Sequence, residues 1–366
     1  MDYRSVLERA YRGEYLNTAE IALLLDVPDE AAERELFEAA YLVKCEICGK
    51  LVNLRGLIEF SNFCTRDCFY CGIRKSNNKV SRYCMSMDEI VESAARAMEF
   101  GYGSVVLQSG ERSDGEFVAF VEEVLHRISA LPEAPGITLS CGEESLETYQ
   151  RWRAAGARRY LLRIESSNER IFNTIHPPEA VFAERKAALE RLKEAGFQTG
   201  SGVMIGLPGQ TVKDLAADID FFRQMDLDMI GMGPFLPQED TPLGRQYPDS
   251  GDMARRRLQL SLRMIAVTRL VLRDVNIAAT TALQAIDPAA GRERGILAGA
   301  NVIMPNVGDV SRRKDYQLYN GKPALDENSR NIREALIRSL AAIGEKPRFH
   351  EAGDPLHFFK RTNGNA

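Results

Sequence analysis

From residue 51 onward the chain alternates short, apolar, β-prone runs with longer amphipathic ones, and this alternation restricts the fold more than any other feature. Strand-like runs fall at 54–60, 104–108, 137–140, 159–164, 198–205, 229–234, 277–281 and 302–304. Helical stretches lie between them at 87–100, 115–130, 145–155, 182–195, 212–225, 254–272 and 291–297, with a closing helix over about 328–342. Eight strands, each followed by a helix, predict an α/β protein built as a (β/α)8 (TIM) barrel over residues 51–345. A six-stranded partial barrel with a separate tail is the other arrangement this pattern allows. Barrels of this kind carry their chemistry at the C-terminal ends of the strands, so polar residues at those ends are the candidates for a site.

Residues 1–50 read as an N-terminal helical extension covering the barrel. Asn17-Thr-Ala-Glu20 has the cap residue and acidic first turn of a helix start, and a second helix is expected over about 29–43. Residues 346–366 are left as a C-terminal tail. The whole chain, 366 residues with 45% hydrophobic and 27% charged, has the make-up of a globular protein with a large core. No apolar run reaches the ~20 residues needed to span a bilayer. The polar start, Met-Asp-Tyr-Arg-Ser, is unlike a signal peptide, so no membrane association and a cytoplasmic location are expected. Net charge is −5 and basic residues occur only in pairs and triples such as Arg255-Arg256-Arg257, so no nucleic-acid partner is expected.

Three of the seven cysteines lie in Cys64-Thr-Arg-Asp-Cys68-Phe-Tyr-Cys71, just after the first strand run. Three thiolates on one loop suit three irons of a [4Fe–4S] cube. No fourth cysteine is near, which leaves one iron open, and an open metal position is what a catalytic site keeps. A zinc knuckle would want a fourth Cys or His close by in sequence, and the nearest His is His126. An odd number of cysteines at metal spacing points to a reducing compartment rather than a disulfide framework. Cys45-Glu-Ile-Cys48 is half of a zinc site, a redox pair, or two thiols in a connector. Cys84 and Cys141 are expected to be buried thiols that pack like small hydrophobes. In the fourth strand run, Arg163 and Glu165 alternate and so share a face, either as a site pair at the barrel mouth or as a structural ion pair.

The cysteine spacing, with aromatic Tyr70 before the last cysteine, resembles the signature of the radical S-adenosyl-L-methionine (SAM) superfamily. The resemblance implies that the open iron of a [4Fe–4S] cluster held by Cys64, Cys68 and Cys71 is chelated by the amino and carboxylate groups of SAM. It implies further that an electron from the cluster cleaves SAM to methionine and a 5′-deoxyadenosyl radical. Gly110-Glu111, at the end of the second strand, resembles the family's motif for the SAM amino group, where a carboxylate and backbone acceptors would hold an ammonium. Glu165, and Arg185 on the next helix, are implied as further SAM contacts. Ser201-Gly-Val-Met204-Ile-Gly206-Leu-Pro-Gly-Gln-Thr211 resembles the adenine-stacking fifth strand, with Gln210 or Thr211 where the family has Glu; Thr211 suits a helix cap.

Longer runs narrow the resemblance. Leu54-Arg55 through Asn62, Cys71-Gly-Ile-Arg74, Val106 through Glu111, Tyr160 through Glu165, Gly233-Pro-Phe-Leu-Pro237, Ala279-Thr-Thr-Ala282 and Ala300 through Asn306 are similar to the HydE family of [FeFe]-hydrogenase maturases. The sister group of biotin synthase and methylornithine synthase (PylB) shares the early runs, and a PylB-like mutase is the alternative function. The resemblance implies a substrate that is an organometallic iron complex of CO, cyanide and cysteine, with the radical acting on the cysteine sulfur. It implies a pocket inside the barrel lined by Arg55, Gln108, Arg163, Thr280, Thr281, Met304, Tyr316 and Tyr319. An anionic complex would favour arginine and hydroxyl donors in a dry cavity. Other hydrogenase maturases, and an electron donor such as ferredoxin or flavodoxin, are the implied partners. No cysteine follows Cys141, so the second, C-terminal cluster of some family members has no ligands here.

Overall fold

The computed structural model describes residues 2–323 and 325–363. The strands are β1 (Leu51–Ser61), β2 (Ser104–Ser109), β3 (Gly136–Ser140), β4 (Ala157–Leu161), β5 (Gln198–Ser201), β6 (Met204–Ile205), β7 (Met229–Ile230), β8 (Gly233–Pro234), β9 (Asn276–Ile277), β10 (Val302–Ile303) and β11 (Lys346–Arg348). All pair in parallel, in the order β10-β1-β2-β3-β4-β5-β7-β9, with β6 pairing β8 above them. The ring closes between β9 and β10. There Ala278 bridges Val302, the Asn301 amide donates to the Ile277 carbonyl at 2.9 Å, and the Ala279 amide donates to the Val302 carbonyl at 2.9 Å. The expected eight-stranded α/β barrel is what forms.

Strands buried on both faces read as near-continuous apolar runs, and β1 has ten of its eleven residues buried. Short polar side chains start the helices between strands. Ser86 and Thr211 each make reciprocal capping boxes, with Glu89 and Asp214, and Asp114 and Ser145 cap the helices that follow them. At the N-terminus, the Asn17–Glu20 capping box forms as the sequence suggests. The next helix, Glu30–Cys48, runs further than expected and stops only at Gly49, with φ of 69°. Cys45 and Cys48 therefore lie on its last turn rather than in a connector. Lys44 of that helix is fully buried against Glu345, which also accepts from the Tyr41 hydroxyl at 2.7 Å. Among the described residues no helix is long and apolar enough to cross a membrane.

Residues 346–363, beyond the expected barrel, cover the N-terminal ends of the strands. β11 pairs with Leu51–Asn53 of β1. The following loop crosses under the barrel, where Arg159 of β4 donates to the Ala352 carbonyl at 2.8 Å and to the Asp354 carboxylate. Asn276 of β9 donates to the Gly353 carbonyl at 2.8 Å, and Gln198 of β5 donates to Asp354 at 2.9 Å. The helix Leu356–Asn363 then sets His357, Lys360 and Arg361 against Asp226, Asp228 and Asp274.

Candidate active site

The loop between β1 and the helix Met87–Glu99 carries the three cysteines and has little regular structure of its own. Side chains hold its shape. Arg82 donates to the carbonyls of Asn62 (2.6 Å), Ile73 (2.7 Å), Arg74 (2.6 Å) and Asn77 (3.1 Å). Asp67 accepts from Arg74 (2.8 Å) and from the amide and hydroxyl of Ser76. Gly110 lies against the loop so closely that a β-carbon there would meet the Phe63 carbonyl oxygen at 2.3 Å. The adjacent Glu111 amide donates to the Cys64 sulfur at 3.4 Å.

Cys64, Cys68 and Cys71 line one cavity of about 250 Å³ at the C-terminal mouth of the barrel. Tyr70, Gln108, Gly110, Glu111, Arg163, Glu165, Arg185, Met204, Tyr316 and Tyr319 line the same cavity, so most of the residues singled out in the sequence meet there. Three do not. Gly206 (φ 81°) turns the chain after β6, its amide held by the Gln210 side chain at 2.8 Å and its carbonyl by Arg257 at 3.3 Å. Thr280 donates to the Met232 carbonyl at 3.2 Å behind Gly233. Thr281 lines a separate small space with Leu57, Met304, Asn306 and Lys322. Arg55 and Met304 lie lower, around a third space of about 30 Å³ with Thr138, Met229 and Asn276. Arg55 donates there to the Met229 sulfur at 3.0 Å and to the Gly353 carbonyl at 3.3 Å. The expected substrate-pocket residues thus sit on two levels.

Three arginines and three carboxylates frame the upper cavity. Arg163 makes two bonds to Glu165 Oε2, at 3.1 and 2.9 Å. The pair forms even though the chain leaves strand geometry at Glu165, whose φ is 63°. Arg185 donates to Glu143, to the Arg163 carbonyl at 2.7 Å, and lies 3.8 Å from Glu111. Arg66 donates to Glu111 and, at 3.1 Å, to Glu143. Burial works against the Arg185 charge, but Glu143 and Glu111 more than offset it and hold its pKa above the usual guanidinium range. Tyr70 lies edge-on to His176, whose pKa burial, and then Arg185, push down to about 3, so this imidazole is neutral.

Arg66, Glu143 and His176 were not among the sequence candidates. Arg66 is inside the cysteine loop itself, and Glu143 follows the end of β3, so the strand-end rule applies to it as well as to Glu111. His176 lies on no strand end, and no sequence pattern marks it. Cys84 is exposed rather than buried; Cys141 is buried as expected.

Residues 58–222 match the Radical SAM superfamily model. The chain is 40% identical to the [FeFe] hydrogenase maturase subunit HydE of Thermotoga maritima, an alignment covering 95% of this chain and 96% of that one. The chain belongs to the HydE family of radical SAM enzymes. More distantly, the 3-methylornithine synthase of Methanosarcina acetivorans is 26% identical over 93% of each chain. The crystal structure of methylornithine synthase (PylB) superposes with a TM-score of 0.80 at 24% identity, over 94% of this chain and 98% of that one. The structure of HydG from Carboxydothermus hydrogenoformans gives 0.78 at 22%, over 95% and 79%. At those identities the structural likeness speaks to the barrel alone.

Radical SAM membership implies a [4Fe–4S] cluster and SAM, and the residues fit both. The three thiols are pushed up mainly by burial, Cys68 to about 12 and Cys71 well above its usual range, and the Cys64 sulfur adds to the rise at both. Such a trio carries its thiolates only when a metal supplies positive charge, and a coordinating thiol is deprotonated outright. Among the described residues no three of His, Cys, Asp or Glu gather about a point for a single ion. A cube does not need one, since each thiolate binds its own iron. The arginine–carboxylate frame beside the thiols offers acceptors for an ammonium and donors for a carboxylate, which are the two polar ends of an amino acid.

Proposed function

We propose that the chain acts in [FeFe]-hydrogenase maturation, taking an organometallic iron complex that bears CO, cyanide and cysteine and transforming it at its cysteine sulfur. The observation that carries this is the shared cavity. One space is lined by the three thiols and by Arg163, Tyr316 and Tyr319. Cofactor and substrate would therefore meet without crossing solvent.

In this reading Cys64, Cys68 and Cys71 hold the cluster. When bound together with SAM, the cluster would supply a one-electron cleavage that yields a 5′-deoxyadenosyl radical. Glu111, Glu165 and the carbonyls beside Gly110 take the SAM ammonium, and Arg185 takes the carboxylate. Tyr70 and Met204 give the apolar wall for adenine. Gln108 and Arg163 face the inner side of the cavity and orient an anionic ligand. Tyr316, Leu318 and Tyr319 roof it and keep water from a radical. Arg55 and Met304, on the lower level, and Thr280 and Thr281, outside the cavity, act on the substrate only if it reaches beyond the upper cavity. Other hydrogenase maturases, and an electron donor of the ferredoxin or flavodoxin kind, are the partners this role requires, in a cytoplasmic setting.

The test is anaerobic reconstitution of the reduced, cluster-loaded chain with SAM. Formation of 5′-deoxyadenosine should rise severalfold when the iron–cysteine complex is added, and should not respond to lysine. A response to lysine instead would move the assignment to methylornithine synthase, the function named for the 26%-identical relative.

A further inference from the structure

Glu59 is an inward-facing carboxylate near the C-terminal end of β1, between apolar Ile58 and Phe60, and only 5% of its side chain is exposed. Lys322, 9% exposed, reaches down to it from the segment that follows the short helix Val310–Arg313. Its ammonium lies 2.5 and 2.6 Å from the two Glu59 oxygens and donates to the Tyr316 carbonyl at 2.8 Å. Asn306 adds a bond to Glu59 at 2.9 Å. A buried pair is weak evidence for stability, because desolvation consumes most of the attraction, but it fixes one geometry, since breaking it strands a charge.

The geometry it fixes is that of residues 315–322, which carry Tyr316, Leu318 and Tyr319 into the roof of the cavity. Two further ties hold this segment, and both come from the cysteine loop and the strand that feeds it. Asn62 donates to the Asp315 carbonyl and, on its other side, to the Ser81 carbonyl, both at 2.7 Å. The Gly72 amide donates to the Leu318 carbonyl at 2.9 Å. Gly72 directly follows Cys71, and a β-carbon on it would meet the Gln317 carbonyl oxygen at 2.0 Å, so only glycine lets the two segments touch. The roof is thus tied three times to the unit that holds the cysteines.

We infer that residues 315–322 are a lid registered to the cysteine loop, and that Glu59 and Lys322 are positioning residues whose ion pair latches it. This rests on the proposal that SAM occupies the cavity below. Ordering at the cysteines is then transmitted to Tyr316 and Tyr319, so the substrate wall is set only when the cofactor wall is. Loosening the latch should free the roof while sparing the thiols and the arginine–carboxylate frame, neither of which contacts Lys322.

Hydrogen–deuterium exchange on the cluster-loaded holoenzyme, with and without SAM, tests this. In the parent chain SAM should slow exchange across 62–83 and 315–322 together. In Lys322→Met, SAM should still perturb the cluster's electron paramagnetic resonance signal and still slow 62–83, while 315–322 exchanges on the order of tenfold faster, as a local opening would give. Lys322→Arg should restore slow exchange. Should Lys322→Met not accumulate as folded protein, Glu59→Gln, which keeps the shape and removes the charge, reads the same quantity. Wild-type exchange across 315–322 in a charge-removing variant with an intact cluster signal would overturn the latch. A parent chain whose cluster signal ignores SAM would overturn the SAM assignment instead, and the exchange contrast between parent and variant without SAM would still judge the latch.

Discussion

The two ends of the barrel are both lined with buried or half-buried charge, yet they are built in opposite ways. At the C-terminal mouth, Arg66, Arg163 and Arg185 share Glu111, Glu143 and Glu165 around a cavity of about 250 Å³. At the N-terminal end, Arg159, Asp226, Asp228 and Asp274 are met side chain to side chain by the strap of residues 346–363; the space inside the barrel there is about 30 Å³, and a groove of about 330 Å³ beside Asp226, Asp274, His357 and Lys360 lies outside it. A charge network around a cavity keeps groups available for a ligand. One whose charges are paired across chain segments holds the chain together. The contrast predicts that damage at the mouth costs chemistry and damage at the base costs stability.

The largest expected effect is at the mouth. Cys68→Ala removes one of the three proposed cluster ligands, and 5′-deoxyadenosine formation should fall to background with loss of the [4Fe–4S] resonance signal. A variant that kept the signal would show that the cavity thiols are not the ligand set, and the contrast between the ends would lose its chemical half.

How far the sequence shows each end follows from how local its signals are. The cysteine loop is legible because its three cysteines lie within eight positions. Glu111 and Glu165 are legible because chemistry in barrels collects at strand ends, and Glu59 is open to the same argument as Arg163, a charge inside an apolar run. The base is not legible. Arg159 and Asp354 are 195 positions apart, and the strap between Lys346 and Pro355 has neither helical nor strand periodicity long enough to assign. What makes those residues a closure is the barrel they close. Likewise, Arg55 and Tyr319 suit one pocket by residue type, and only the depth of the barrel separates them.

The second effect should be structural. Asp354→Ala leaves the Arg159 guanidinium, wholly buried, without its carboxylate. Removing one partner of such a pair should cost roughly 3 kcal/mol in denaturant unfolding, while the SAM-dependent change in the cluster signal stays. If that change were lost with the stability intact, the base would belong to the active site and the division of labour would be wrong.

The smallest effect should appear only as a pH profile. His357 donates between Asp226 and Asp274, with Lys193, Lys360, Arg361 and Asp228 as the other charges facing the cluster. Asp274 raises the His357 pKa against the effect of burial, and Asp226 adds to it. A raised histidine contributes fully below its unfolded value of about 6.5 and ceases to contribute as pH climbs through the folded value. Asp274 runs the other way. Burial opposes its charge, but His357 and Lys360 prevail and lower its pKa to about 2, so its share is present above about 3.9 and fades as pH falls toward 2. The strap is therefore held best between about pH 4 and 6.5. Thermal unfolding of His357→Gln against the parent chain should show its widest gap in that window and a shrinking gap above it. The gap should be smaller throughout than that of Asp354→Ala, because His357 and its aspartates are partly exposed and solvent screens them. A gap that stays constant from pH 5 to 9 would mean that His357 acts by packing alone, and the base would then be held by its backbone strap and by Arg159 rather than by titrating charge.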